Sequence, residues 1–438
     1  MSRATGGAPR RTDTGGMKAE MYDLHPPRVF VHKRVYENPQ AVTRLERMLE
    51  GLGGPPLEEV EEADTAEVIA ASGALDEVQV RSSRVRQGVQ KVGTDPIFLF
   101  NTYVWDPDQV KAPAQQYEHP RASALARFMA GVGPGAIYGR REASDGRDPK
   151  RPFVCQGGWS FHTINGCVHK CDYCGMGCGV NFMLDLEEIA RDLERNFRER
   201  PHQRLYRYDL TSDYPCFEPE YGASEVFGEC FARNDMYLLV YTKSNNIDHL
   251  LDLPYKEHVP CYWTLATDTQ STEIERDTPS LDERLEAMRK CQKAGYVVRA
   301  GFSPIVPHRR WREEATIALE KLFAAAAPDT VRLWVVSMML CSEAEDIFGA
   351  DNLDPECLAA MREAALELEG QHSGPFPRAT RAEIYAHYLD EIRRISPNTP
   401  VNLCSEERAV WEMLADKLAM SPDELYCCCG QTSIPRKS

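Results

Sequence analysis

The chain has 438 residues, and its 51 Lys and Arg against 67 Asp and Glu give a net charge of −16. It has enough hydrophobic residues, 42%, for a large core, but no apolar run long enough to span a bilayer, and its charged, Gly-rich opening lacks the apolar stretch of a secretory signal. We therefore expect a cytoplasmic protein whose fifteen cysteines are thiols suited to metal binding or catalysis. The acidic balance argues against broad nucleic-acid binding but leaves room for a local basic groove.

The N-terminal third of the chain shows mixed patterns. Residues 1–20 are rich in Gly, Arg, Thr and Ser, and they are predicted to be disordered. Residues 21–151 combine a strand-like run from Arg28, a helix-like stretch at Ala41–Leu52 and an aromatic segment at Ile97–Trp105. This mixture predicts a small α/β extension, in which the sequence reveals no chemistry.

From Trp159 onward, short apolar runs alternate with amphipathic segments. The six predicted strands are Trp159–Ile164, Arg204–Leu210, Met236–Tyr241, Pro260–Leu265, Tyr296–Ser303 and Thr330–Val336. Asp185 with Glu188 predicts a capping box, and Thr278 as N-cap before Pro279 predicts a helix that stops at Gly295. Six strand–helix units in series over residues 152–415 predict a parallel sheet, open or partly closed as a barrel, with ligands at the carboxyl ends of its strands.

The first cysteine group follows the first predicted strand. Cys167, Cys171 and Cys174 form a CxxxCxxC pattern on a loop. This spacing suits three ligands of an iron–sulfur cluster whose fourth iron stays open. Zinc is an alternative, since Cys178 is near enough in sequence to close a tetrahedral site, and a loop without metal is the third interpretation.

A CxxxCxxC motif after the first strand of such a series resembles the radical S-adenosylmethionine (radical SAM) enzymes. The segment TLATDTQSTEIERDTPSLDERLEAMRKCQKAGYVVRAGFSPIVPHRRW is similar to the spore photoproduct lyase branch, as are LTSD, TKSNNIDHL and LCSEERAVW. The resemblance runs from Cys155 to Trp411. It implies a partial (β/α)6 TIM-like barrel, a [4Fe–4S] cluster on Cys167, Cys171 and Cys174, reductive cleavage of S-adenosylmethionine, and an electron donor of the flavodoxin or ferredoxin type.

The same resemblance implies cofactor-binding residues. Ser212 matches a cofactor-contacting position, Lys243 matches the lysine that meets the cofactor carboxylate, and Tyr173 is the aromatic residue expected beside adenine. Three further loop residues are candidates for contacts to the ribose or the carboxylate: Glu273, Glu275 and Arg276. As exposed charges, these three are equally consistent with a solvated surface.

Two positions depart from the spore photoproduct lyase pattern. Leu210 stands where those enzymes have a cysteine that returns a hydrogen atom to the product, and Gly175 stands where they have a tyrosine of the radical relay. Cys216, six residues beyond Leu210, is a candidate substitute, although hydrogen transfer needs contact distance. Together with the negative charge, these departures argue against a nucleic-acid partner. The basic run His308–Arg312 is predicted to be an exposed helix start.

The second cysteine group is the triplet Cys427, Cys428 and Cys429 in the tail, residues 416–438. A turn at Gly430 would let the thiols converge, and convergent thiolates bind soft partners such as Cu(I), zinc, an iron–sulfur cluster or trivalent arsenic. A flexible tail with reactive thiols is the plain alternative. The triplet resembles that of radical SAM enzymes of the arsinothricin pathway, with Tyr426 in place of their Arg.

That second resemblance implies transfer of the 3-amino-3-carboxypropyl group of the cofactor to trivalent arsenic held by the three cysteines. Such a transferase needs neither the donor cysteine nor the relay tyrosine, which fits Leu210 and Gly175. The alternatives are hydrogen abstraction by a 5′-deoxyadenosyl radical from another substrate, including a spore photoproduct lyase-like DNA repair, and a metal or metalloid sensor that leaves the cofactor intact. The sequence therefore predicts a small-molecule or metalloid substrate.

Overall fold

The computed structural model describes residues 24–74, 95–113, 115–132, 137–174, 176 and 179–436. The segment 1–20, which the sequence predicts to be disordered, lies outside these residues, and so do Gly175 and Cys178. Within the described residues no helix is both long and apolar enough to cross a membrane.

The main sheet is a curled half-barrel. Its parallel strands, in spatial order, are Gly158–Phe161, Leu205–Tyr208, Tyr237–Thr242, Cys261–Leu265, Val298–Ile305, Val331–Val335 and Val401–Leu403. Tyr138–Arg141 pairs antiparallel beside the first of them. The predicted partial barrel is confirmed, and six of its strands coincide with the predicted runs. The last strand was not predicted, because three residues are too few to show a periodicity.

Helices pack between and around these strands. The longer ones are Leu186–Glu199, Ala223–Arg233, Leu281–Lys293, Trp311–Ala325 and Arg378–Ile395. The shorter ones are Asp248–Leu251, Cys341–Phe348, Pro355–Glu363, Arg408–Met413 and Ala415–Leu418. Together with the strands they form one large buried core.

One predicted helix start is wrong by two residues. The helix Leu281–Lys293 is capped by Ser280, whose Oγ accepts the backbone N–H of Glu283 while the Glu283 carboxylate accepts the backbone N–H of Ser280. The predicted cap, Thr278, instead donates its hydroxyl to the carbonyl of Glu275 at 2.6 Å. A serine followed three residues later by a glutamate forms the reciprocal pair of hydrogen bonds that a threonine before proline does not.

The predicted capping box at Asp185 is not formed. The Asp185 side chain makes no cap hydrogen bond to its own helix. Its Oδ2 instead accepts from Trp105 Nε1 at 2.7 Å and from the backbone N–H of Tyr103 at 3.1 Å. Tertiary donors from the N-terminal extension have thus replaced the local ones.

The N-terminal extension forms a second sheet with part of the barrel segment. Its strands, in spatial order, are Leu57–Val60, Val29–His32, Ile97–Asn101, Gly179–Met183 and Ile164–Asn165. Its helices are Pro39–Gly51, Thr65–Ser72 and Pro120–Met129. The predicted division between 21–151 and 152–415 is therefore not a division between sheets, because the last two strands come from the second segment.

The C-terminal tail crosses the base of the barrel, at the amino ends of the strands. The Gln431 carbonyl accepts from the backbone N–H groups of Arg204 and Leu205, and the Gln431 N–H donates to the Gly157 carbonyl at 3.1 Å. The interpretation as a flexible tail is wrong for residues 416–436, because backbone hydrogen bonds and buried side chains hold this segment against the strands.

Candidate functional site

A cavity of 170 Å³ lies at the carboxyl ends of the strands. Its lining brings together most of the side chains predicted for the cluster and the cofactor: Cys167, Cys171, Tyr173, Cys174, Ser212 and Lys243. The remaining walls include His169, Asp213, Tyr241 and Thr264. The strand ends and the CxxxCxxC loop therefore converge on one pocket, as the position of parallel strand ends requires.

Glu275 lies beside this pocket and is fully buried, so its interpretation as a solvated surface charge is wrong. Its carboxylate accepts from Tyr173 Oη at 2.5 Å and forms ion pairs with Lys243 Nζ at 3.2 Å and Arg284 at 2.8 Å. Burial alone would raise the pKa of Glu275, but the two cations outweigh it and lower that pKa to about 2. Glu275 therefore stays ionised and holds Tyr173 and Lys243 in place at the cavity wall.

The two neighbours of Glu275 behave differently. Glu273 is exposed, as the solvated-surface interpretation predicts. Arg276 is half-buried and pairs with Asp172 of the CxxxCxxC loop. The strand Glu275–Arg276 also pairs antiparallel with Lys170–Cys171. This segment therefore braces the cysteine loop.

Sequence reasoning missed a buried group behind that loop. His169 Nε2 lies 2.9 Å from an Asp213 oxygen, and Cys216 Sγ lies 3.6 Å from the same nitrogen. Asp213 also accepts from Thr242 Oγ1 at 2.6 Å and from the backbone N–H of Lys243 at 2.7 Å. Asp213 thereby fastens the cysteine loop to two strand ends.

The candidate substitute for a hydrogen-donating cysteine is misplaced. Cys216 is fully buried against His169, and it is not among the residues that line the cofactor cavity. Leu210 does line the cavity and is 41% exposed. A hydrogen donor has to touch the substrate, and Cys216 packs behind the loop instead.

The basic run His308–Arg312 begins a helix, as predicted, but His308 and Trp311 within it are buried rather than exposed. Arg310 pairs with Glu313 and Arg312 with Glu383, and Arg309 donates to the Asp351 carbonyl. These pairs neutralise charges that phosphates would otherwise meet.

The tail brings its three cysteines into the lower part of the barrel lumen. Cys428 is fully buried in a cluster with Leu205, Leu239 and Tyr262, and Cys429 and Tyr241 both pack against this cluster. Side chains on a strand alternate between its two faces, so these residues mark the lumen-facing positions of three adjacent strands. Tyr241 also lines the cofactor cavity. Tyr241 therefore borders both that cavity and the cluster that contains Cys428.

The three thiols have unequal electrostatics. Hydrogen bonds from the Cys427 and Cys428 thiols, with Arg332 and Arg207 nearby, lower the pKa of Cys429 well below its usual value. The same bonds and burial raise the pKa values of Cys427 and Cys428. Cys429 is thus the thiol of the triad that ionises most readily, and the thiolate form is the nucleophile and metal ligand.

The arginines around the triad were also missed by sequence reasoning. Arg299 is fully buried and donates to the Cys428 carbonyl at 2.6 Å, the Ser433 carbonyl at 2.7 Å and Tyr426 Oη at 2.9 Å. It also pairs with Asp329 at 2.9 Å. The available signal was an arginine at the second position of two apolar strands, Val298–Ile305 and Val331–Val335, where a lumen-facing charge needs a partner.

The cavity at the strand ends fits the cofactors that the sequence predicts. Within the described part of the chain, Ser212 Oγ is buried and has no hydrogen-bond partner. The cavity also presents Lys243 and three cysteine side chains from a single loop. An unsatisfied hydroxyl, a cation and soft ligands suit a carboxylate-bearing molecule beside an iron–sulfur cluster.

Comparisons with known proteins agree with this geometry. Residues 158–339 match the model of the spore photoproduct lyase family. The Bacillus subtilis (strain 168) spore photoproduct lyase is 29% identical over 179 residues, which are 39% of this chain and 52% of that protein. The Clostridium acetobutylicum enzyme is 23% identical over 171 residues, 37% of this chain and 51% of that protein. The sequence match thus spans about half the length of the curated relatives.

Solved structures share the fold. A spore photoproduct lyase variant with bound AdoMet and dinucleoside spore photoproduct has a TM-score of 0.57 and 15% identity over 86% of this chain and 98% of its own. Another variant, with dinucleoside spore photoproduct, has a TM-score of 0.57 and 16% identity over 87% of this chain and 99% of its own.

These relatives bear on three predictions. The argument against a nucleic-acid partner is not borne out, because similar structures hold a dinucleoside lesion. The preference for a transferase has no support from relatives that are lyases, and the comparisons do not show the arsinothricin-pathway resemblance. The match to the spore photoproduct lyase family covers residues 158–339. Over these residues the chain is similar to the spore photoproduct lyase-like branch of the radical SAM enzymes, and the cofactors of that branch are a [4Fe–4S] cluster and S-adenosylmethionine.

Proposed function

We propose that this protein reductively cleaves S-adenosylmethionine at the 170 Å³ cavity at the strand ends, which we call the upper cavity. It then transfers an alkyl group from the cofactor to a thiophilic acceptor held by Cys427, Cys428 and Cys429. The observation that carries the proposal is the position of the triad. The tail cysteine Cys428 lies in a cluster with lumen-facing strand residues, and Tyr241, which packs against that cluster, also lines the cavity at the strand ends.

In the upper cavity, Cys167, Cys171 and Cys174 would hold the cluster, and Lys243 would bind the carboxylate of S-adenosylmethionine. With one electron, the bound cofactors supply a carbon radical. Glu275 fixes the Lys243 ammonium and the Tyr173 ring through the 3.2 Å and 2.5 Å contacts described above. Ser212 offers a hydroxyl whose partner in this interpretation is the cofactor.

The acceptor we propose is trivalent arsenic, and the transferred group is 3-amino-3-carboxypropyl. Soft thiolates bind such an acceptor, and hydrogen bonds from Cys427 and Cys428 lower the pKa of Cys429. Cys427 and Cys428 are buried between the tail and the strands, and Cys429 is half-buried beside them.

The transfer balances as follows. One electron cleaves the carbon–sulfur bond and releases methylthioadenosine. The alkyl radical forms a carbon–arsenic bond while one arsenic–sulfur bond breaks, which leaves a thiyl radical on that cysteine. A second electron and a proton restore the thiol. The net reaction consumes two electrons, for which we propose a donor of the flavodoxin or ferredoxin type.

A second candidate is hydrogen abstraction from a nucleic-acid lesion. The family match supports it, and the cavity mouth at Leu210 is open to solvent. Against it stands the leucine itself, because a leucine cannot return a hydrogen atom as a thiol does. A different donor would be required on the substrate side.

The products distinguish the two candidates. Cluster-loaded protein is incubated without oxygen with S-adenosylmethionine, a reductant and arsenite, and the products are separated by mass spectrometry. Methylthioadenosine with an organoarsenical supports the transferase. If 5′-deoxyadenosine and methionine are the only cofactor products, the transferase is wrong, and deuterium transferred to 5′-deoxyadenosine from a labelled dinucleoside lesion would establish the second candidate.

A further inference from the structure

The triad is part of a larger group of five cysteines, which we call the basal thiol group: Cys155, Cys404, Cys427, Cys428 and Cys429. These residues come from three separate parts of the chain. The Cys155 thiol lies close enough to Cys429 and Cys404 for both to raise its pKa, after the larger effect of burial. Cys404 and Cys428 both lie within electrostatic range of Arg332.

Cys155 is the member of the basal thiol group that lines a cavity at the base of the barrel. It is half-buried, and it lines a 580 Å³ cavity at the base of the barrel together with Arg147, Arg151 and Leu425. Cys427 and Cys428 are buried and do not line that cavity. Cys155 therefore lies between the basal cavity and the triad.

The C-terminal tail forms the wall between the basal cavity and the triad. Gln156, the residue after Cys155, donates to the Leu425 carbonyl at 2.9 Å and accepts from Ser433 Oγ at 2.9 Å. Gly430 lies so close to Gln156 and the Cys427 sulfur that a side chain there would collide with both. A ligand from the basal cavity thus meets Cys155 before the enclosed triad.

Two buried polar atoms near the triad suggest what the ligand carries. Within the described part of the chain, Tyr262 Oη and Arg332 Nε have no hydrogen-bond partner. Both side chains lie in the field of Cys404 and Cys428. A buried donor without a partner is destabilising, so these atoms favour a ligand that bears oxygen. A hydroxylated trivalent metalloid offers oxygen to these groups and a soft centre to the thiols.

We propose that Cys155 is the receiving thiol of an access path by which arsenite passes from the basal cavity to the triad. The identity of the ligand rests on the proposed function, whereas the path rests on the position of Cys155. Cys155 forms an arsenic–sulfur bond as one hydroxyl leaves with the thiol proton as water. Cys429 then forms its own arsenic–sulfur bond while the bond to Cys155 breaks, and the proton of the Cys429 thiol passes to the departing Cys155 sulfur. No oxidant or reductant is consumed.

The test uses the full-length, cluster-loaded protein without oxygen and follows arsenite binding by stopped-flow absorbance of the arsenic–thiolate bonds. Cys155→Ser should still bind one arsenite per chain, but about tenfold more slowly than the wild type. Cys341→Ser is the matched control and should keep the wild-type rate, since Cys341 is half-buried on the helix Cys341–Phe348, outside the basal thiol group. Circular dichroism and iron content check that each variant is folded.

A second pair of variants tests the path without changing a thiol. Leu425→Trp should fill part of the basal cavity and slow binding, while Leu366→Trp, at an 89% exposed position, should not. A wild-type rate in both Cys155→Ser and Leu425→Trp would overturn the access path alone. Complete loss of binding in Cys155→Ser would make Cys155 a permanent ligand and would also overturn it. If the wild type binds no arsenite, the path fails together with the proposed acceptor.

Discussion

The two cysteine groups of this molecule sit at opposite ends of one half-barrel and are built in opposite ways. The upper loop carries Cys167, Cys171 and Cys174 within eight residues, next to Lys243 and the ionised Glu275. The basal thiol group collects cysteines from residues 155, 404 and 427–429, next to Arg207 and Arg332. The first arrangement is local in sequence, and the second exists only after the tail has docked.

This difference explains why the sequence predicts the CxxxCxxC loop as a site but does not predict the basal thiol group. Spacing along a loop fixes which ligands can reach one cluster, so the CxxxCxxC motif carries its chemistry in the sequence. The basal group depends on long-range contacts, among them Arg299 to the Cys428 carbonyl and Gln431 to the neighbouring strand. The partners in these contacts are far apart in the sequence, so motifs and periodic patterns over a few residues do not predict them.

The substitution with the largest expected effect should abolish cofactor cleavage at the upper loop and leave arsenite binding at the basal thiol group unchanged. Cys171→Ala removes a proposed cluster ligand, so reductive cleavage of S-adenosylmethionine should fall to background. Arsenite binding at the basal thiol group should persist, because no backbone element of that group is changed. Iron content, product analysis and arsenite titration on one preparation measure both results. Retained cleavage would show that the upper loop is not the cluster site.

The second effect concerns the docking of the tail. Arg299→Met removes the charge that Asp329, Tyr426 and two tail carbonyls share, and breaking a buried ion pair costs about 3–5 kcal/mol. We expect the free energy of unfolding to fall by about that amount. Denaturant unfolding and limited proteolysis of the tail are the measurements.

The control for Arg299 is a surface arginine on a helix. Arg289 pairs with Glu286 at the surface, and Arg289→Met should change stability by about 0–1 kcal/mol. Equal effects of the two substitutions would mean that Arg299 does not hold the tail in place.

The third prediction tests whether Cys429 holds the acceptor during alkyl transfer. Cys429→Ser replaces the thiol of the triad whose pKa is lowered, so formation of the organoarsenical should fall by about 100-fold. Cleavage of S-adenosylmethionine without transfer should continue, since the upper cavity is intact. The ratio of methylthioadenosine to organoarsenical measures the uncoupling. An unchanged yield of organoarsenical would place the acceptor elsewhere.

The fourth effect is a binding effect in the upper cavity. Lys243→Met removes the cation assigned to the cofactor carboxylate, and we expect the KM for S-adenosylmethionine to rise about tenfold with a smaller change in kcat. Lys290→Met, on the outer helix Leu281–Lys293, is the control and should have wild-type kinetics. A fall in kcat with unchanged KM would contradict a carboxylate-binding role.

The fold and the upper site could be predicted in large part from sequence. Alternating apolar runs predicted six of the parallel strands, and the resemblance led to Ser212, Lys243 and Tyr173 at the cavity. Glu275 was undecided between cofactor and solvent, because its burial depends on Arg284 from the next helix. Pairings of this kind are set by tertiary packing rather than by local spacing.

The tail was harder for a physical reason. A turn at Gly430 suggested that three thiols converge, but nothing local indicates that residues 416–436 enter the base of the barrel. The cue was the buried arginine of the strand Val298–Ile305, a charge that needs partners inside the protein. Those partners lie more than a hundred residues later, at Cys428 and Ser433.

The smallest effect tests whether the two groups communicate through Tyr241. This tyrosine lines the cofactor cavity, and its hydroxyl accepts from Arg332 at 3.1 Å above the triad. Tyr241→Phe keeps the ring and removes only this hydrogen bond, so we expect cofactor cleavage and arsenite binding to stay unchanged while transfer slows about threefold. Arg332 would lose a partner and shift relative to Cys429, which changes the alignment of the acceptor with the incoming radical. Single-turnover rates of transfer and cleavage, compared with those of Tyr255→Phe on the outer surface, separate this alignment effect from a loss of either binding site. Equal slowing of cleavage would mean that Tyr241 serves the cofactor alone.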